Sequence, residues 1–102
     1  MALINTWEQL HTIIDFMLKN EDDLRHRLTL AAEMLDQLLT TIDDETPGYL
    51  VERLVHLHNK FTTQGSYADS VMMMGEEQIN QACTAFLALY HDVSIAFEKS
   101  KE

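Results

Sequence analysis

Residues 7–42 read WEQLHTIIDFMLKNEDDLRHRLTLAAEMLDQLLTTI, and the spacing of apolar side chains in this stretch decides the fold. Counting in alternating steps of three and four gives Trp7, Leu10, Ile14, Met17, Glu21, Leu24, Leu28, Ala31, Leu35, Leu38 and Ile42, with Glu21 the sole polar member. The same rhythm returns in Ala68, Met72, Gly75, Ile79, Ala82, Phe86, Leu89, Val93 and Ala96. An apolar seam of period 3.5 lets one helix lie along others. Two long helices therefore account for most of the chain.

Between them, Thr46 and Pro47 fit an N-cap and a first helical residue, opening a short helix over 47–61. It carries Leu50, Leu54, Leu57 and Phe61 on one face. Thr6 with Gln9 fits a capping box for the first helix, and Lys99 and Lys101 suit the negative end of the last. Lys19-Asn20-Glu21-Asp22-Asp23 has the composition of a turn, yet the heptad register crosses it intact. That register predicts one helix from Trp7 to Ile42, about 54 Å long and kinked at Asn20. Gly75 poses the same question in the last helix. The expected fold is an all-α bundle of three helices, or four if the first breaks at Asn20, in a single domain over 1–102. A middle helix less than half as long as its neighbours leaves both seams partly uncovered, so a homodimer is expected.

Composition narrows the function. Seventeen acidic residues against seven Lys and Arg give a formal net charge of −10. Such a surface repels phosphate backbones and anionic lipid, so neither direct nucleic-acid binding nor membrane association is expected. The single cysteine, Cys83, forms no internal disulfide. Met1 to Asn5 lacks a basic stretch leading into an apolar core, and the longest apolar run, Ala85 to Tyr90, is far too short to span a bilayer. The cytoplasm is the expected compartment.

No residue pattern calls for a cofactor, a metal or a catalytic group. Glu8-Gln9-Leu10-His11 matches the Glu-x-x-His of di-iron bundles, and Asp23-Leu24-Arg25-His26 repeats it loosely. On one continuous rod the two would lie about 22 Å apart, too far to share an ion. His56 and His58 are two apart on a helix and point in opposite directions. Cys83 has no cation close in sequence to activate it.

Two features suit a protein partner instead. With Trp7 as heptad position a, the b positions Glu8, Asp15, Asp22, Asp36 and Asp43 form an acidic row, interrupted only by Thr29. Beside it, Phe16 and Leu30 place apolar side chains on an otherwise polar back, the pattern of a docking face for a basic protein surface. In Met72-Met73-Met74 the seam takes Met72 and turns Met73 and Met74 aside, where flexible thioethers adapt to a partner's apolar groups. The expected function is that of a non-enzymatic adaptor or inhibitor acting by protein–protein contact. In size, acidity and helicity the chain is similar to small secretion chaperones and to phage- or plasmid-encoded inhibitors. The alternative is a nucleic-acid mimic that fills a DNA- or RNA-binding channel with carboxylates.

Overall fold

A computed structural model of the chain describes residues 3–101, and the described residues are helical and turn structure without strands. Five helices follow one another: α1 (Ile4–Lys19), α2 (Leu24–Thr40), α3 (Gly48–Asn59), α4 (Tyr67–Met72) and α5 (Glu76–Ser100). Both of the long predicted helices are divided, each at its ambiguous point.

The first break has a local cause. Asn20 leaves the helix in extended conformation, and its Oδ1 accepts the Asp22 N–H at 2.8 Å. Asp23 then caps α2 by accepting the His26 N–H at 3.0 Å. Arg27 reaches back and donates to the carbonyl of Met17 at 2.7 Å, closing the end of α1. This turn uses four residues, one step of the three-and-four count, so the periodicity runs through it unchanged while the chain reverses direction. Glu21, the odd member of the seam, is exposed in the turn.

The second break follows the same logic. Met73 ends α4, and Gly75 caps α5 with its N–H bonded to the Gln78 Oε1 at 2.9 Å. From Ile79 to Val93 the predicted seam is buried as expected, but upstream it fails. Val71 and Ser70 turn inward, whereas Ala68 and Met72 face solvent. The helix starts also shift. Thr6 lies inside α1 rather than capping it, and Pro47 precedes α3 rather than opening it.

Cross-links fix the directions. Gln9 donates to Thr41 Oγ1 at 2.6 Å while Arg27 meets Met17, so α1 and α2 form an antiparallel hairpin. Trp7 Nε1 donates to Ser94 Oγ at 3.0 Å and His11 meets Tyr90 at 2.9 Å, so α5 runs antiparallel to α1. Arg53 pairs with Asp92, which ties α3 to α5. The short α4 packs on α2, held where Arg25 donates to the carbonyl of Val71 at 2.7 Å. The resulting bundle measures 42 × 25 × 21 Å.

One core joins these helices. Leu10, Ile13, Ile14 and Met17 of α1 meet Leu28, Ala31, Ala32, Leu35 and Leu38 of α2, and α3, α4 and α5 add residues that include Leu50, Leu54, Leu57, Val71, Phe86 and Val93. Each fully buried Leu or Phe contributes about 1.5–3 kcal/mol of transfer free energy. The first seam folds back on itself, and α4 covers the part of α2 that the short α3 does not reach.

Candidate protein-interaction surface

The hairpin dismantles the predicted acidic row. Glu8 and Asp15 remain on the outer side of α1, where Asp15 pairs with Lys19 at 3.0 Å. Asp22 lies in the turn, 3.5 Å from His26. Asp36 is on α2, 3.6 Å from His58 Nε2. Asp43 is occupied structurally: its Oδ2 accepts from the Thr6 N–H at 2.8 Å and from the Thr6 hydroxyl at 3.1 Å. One straight row of carboxylates requires one straight helix, and the reversal at Asn20 removes it. Phe16 and Leu30 are half-buried rather than displayed, and Phe16 packs against the core.

The methionines fare differently. Met72 and Met73 stand 69% and 71% exposed, while Met74 is buried in the core. The early end of α4 and the break at Met73 to Gly75 rotate Met72 out of the seam and Met74 into it. Beside them lies an open cavity of about 520 Å³ lined by Asp23, Leu24, Arg25, Glu76, Ile79 and Asn80. Arg25 links its wall to α4 through the Val71 carbonyl. Exposed acids surround this corner: Asp69 on α4, Glu76 and Glu77 opening α5, and Glu21, Asp22 and Asp23 in the hairpin turn.

Part of this charge has a local role. Asp23, Glu76 and Glu77 sit at the starts of α2 and α5, where a carboxylate stabilises the helix dipole by about 0.3–1 kcal/mol. Arg25, the cation lining the cavity, already spends one N–H on a backbone carbonyl. The end of the bundle therefore combines an apolar floor of Leu24 and Ile79, two flexible thioethers and a surplus of negative charge. Of the two methionines expected beside the seam, Met73 is exposed and Met74 is buried, while Met72, expected in the seam, is exposed. The signal is in the sequence, since Asp69, Glu76 and Glu77 flank the methionine triplet on both sides.

Two further clusters carry polar chemistry. His58 Nε2 lies 2.8 Å from the Tyr67 hydroxyl, and the rings meet edge-on at 5.6 Å. A second open cavity, about 360 Å³, runs past Thr29, Glu33, Gln64, Ser66 and Tyr67. Burial, followed by the nearby carboxylates of Asp36 and Glu33, pushes the Tyr67 phenol above its ordinary value of 10.0. The protonated phenol is thus favoured by the fold, so stability should fall as pH rises through the native Tyr67 value. Thermal melts across the alkaline range check this: a Tyr67→Phe chain should lose less stability there than the wild type, and identical losses would refute it.

At the other end, Trp7 stacks between His11 (5.2 Å) and Phe97 (5.1 Å), with Lys101 4.5 Å above the Phe97 ring. These contacts engage His11 in packing α1 against α5. Cys83 is half-buried, and burial raises its thiol value despite the opposing charge of Arg27. Among the described residues, no three His, Cys, Asp or Glu side chains are grouped so as to hold a metal ion. No helix among them is long and apolar enough to cross a membrane. Compared with known proteins, the chain matches no family model, no curated protein and no solved structure.

Proposed function

We propose that this protein is a non-enzymatic adaptor or inhibitor that holds a basic, amphipathic segment of another protein at the α4–α5 end of the bundle. The carrying observation is the pair Met72 and Met73, exposed just ahead of Glu76, which lines an open cavity with Asp23, Leu24, Arg25, Ile79 and Asn80. Exposed thioethers are costly to leave in water and adapt to many apolar shapes. The surrounding carboxylates attract Lys and Arg, speeding encounter, while the methionines retain the partner once docked. The nucleic-acid mimic keeps only the net charge in its support, because the acids of the predicted row face different directions.

A labelled helical peptide of alternating Lys and Leu faces tests this by fluorescence anisotropy against the full chain. Binding is expected to weaken as salt rises. Replacing Met72 and Met73 together by Ser, which removes the thioethers without adding charge, should weaken it at least tenfold, about 1.4 kcal/mol, chiefly through faster dissociation. Reversing Glu76 and Glu77 to Lys should instead slow association. A peptide that ignores the methionine change but responds to any loss of acid would mark simple charge attraction, and the proposal would fall.

A further inference from the structure

We infer that the face formed by α5 and the adjoining edge of α1 is where a second copy of this chain packs. From Gln78 to Phe97 the only charged side chain is Asp92, and it is turned towards α3, bonded to Arg53. The outward residues of this stretch are Asn80, Gln81, Thr84, Leu87, Ala88, His91 and Ile95, all exposed. At 100° per residue they fall within one third of the helix circumference. Trp7, His11, Ile14 and Leu18, spaced at three and four along the neighbouring edge of α1, are also free of Asp, Glu, Lys and Arg.

This face holds a large share of the apolar surface left outside the core. Leu18 is 75% and Leu87 54% exposed, and both line a mainly apolar groove with Ile14, Met17, Leu24, Cys83 and Phe86; the one charged side chain lining it, Arg27, donates to the Met17 carbonyl at 2.7 Å. Ile4 and Ile95 extend the exposed apolar surface towards the opposite end.

Charge selects the occupant. In a two-fold interface a residue close to the axis meets its own counterpart, so any charge near the axis meets its like. Two copies each carrying −10 repel one another, and the contact that costs least is the one with no charge at its centre. A basic partner is drawn instead to the carboxylates of the α4–α5 corner, about 18 Å along α5 from Ala88. Small side chains at Thr84 and Ala88 allow two α5 helices to approach closely. The stripe from Asn80 to Ile95 is about 22 Å long, which puts its footprint at the low end of specific interfaces. Micromolar self-association is the expected strength.

Sedimentation equilibrium on the full chain, from low to several hundred micromolar, provides the test. The mass should rise from 11.8 kDa towards twice that value, and it should rise sooner at high salt, where the net repulsion is screened. Basic-peptide binding has the opposite salt dependence, so failure of one surface is distinguishable from failure of the other. Leu87→Asp and, separately, Thr84→Lys should keep the helical circular dichroism and return the chain to monomer. In a Cys83→Ala background, Ala88→Cys should give a covalent dimer with a short bis-maleimide that the Cys83→Ala chain alone does not give. A monomer mass throughout the range would overturn the inference and leave this face to a different protein. Dimers that survive both charge substitutions would overturn it as well, placing self-association elsewhere.

Discussion

Replacing Phe86 by Ala should destabilise the protein by about 3–5 kcal/mol, among the largest single-residue losses available in this core. Phe86 is fully buried, its ring centroid lies 6.1 Å from that of Phe61, and it forms part of the floor of the groove with Ile14, Met17 and Leu24. It joins α5 to the end of α3 and to the α1–α2 hairpin. Truncation would leave a cavity that three elements would have to collapse together to fill. Domains of this size have total stabilities of about 5–15 kcal/mol, so the variant should be marginal at room temperature. Urea denaturation measures the change as a lower midpoint at similar slope. The adjacent Leu87→Ala is the control, and a change within about 0.5 kcal/mol is expected because that side chain is mostly exposed. Similar losses at both positions would mean that α5 is rotated from the arrangement described.

The placement of Phe86 was legible in the sequence, as was most of the core. Leu10, Ile14, Met17, Leu28, Leu35 and Leu38 were assigned to one seam by spacing alone, and all are buried. Spacing reports which face of a helix is apolar, and it is blind to whether the chain continues or reverses. A four-residue turn preserves the count, so the register argument for a continuous rod had no power at Asn20. The local chemistry there was the better guide: an Asn able to bond the backbone two residues on, followed by an Asp suited to capping. At Gly75 the same conflict was resolved in the same way, by a residue that caps a new helix.

The candidate surface was less legible because it depends on those reversals. The b-row acids share a face only on an unbroken helix, so the break at Asn20 scattered them. Conversely, nothing in the spacing of Asp23 and Glu76 suggests that they line one cavity, since the two helix starts meet only through tertiary packing. The charge-free stretch of α5 was readable as a run of uncharged residues. Its outward face could be separated from its core face only once Ile79, Ala82, Phe86, Leu89 and Val93 were seen to point inward.

Asp43 shows how a residue with a docking signature serves the fold instead, and it makes a sharp prediction. The first residues of α1 have no cap of their own, since Leu3 at the N-cap position contributes no side-chain bond. Asp43, from the loop after α2, supplies it by accepting the Thr6 N–H and hydroxyl while its own N–H donates back to Thr6 Oγ1 at 3.2 Å. Thr6 is fully buried, and Thr46 completes the cluster at 3.0 Å from the Thr6 hydroxyl oxygen. Asp43→Ala would leave a buried N–H without its acceptor and should cost about 2–4 kcal/mol, combining a lost cap with a lost charge-assisted bond. Thr6→Val alone should also destabilise, because it orphans the Asp43 N–H and the Thr46 hydroxyl. The double variant should lose clearly less than the sum of the two, since one change removes the partner whose loss makes the other costly. Additive losses in that cycle would show that the cluster is not acting as a unit. Binding of the basic peptide provides the second readout. Asp43 lies at the end of the bundle opposite Met72 and Met73, so affinity corrected for the folded fraction should not change. A fall in that corrected affinity would return Asp43 to the docking face and count against the α4–α5 site.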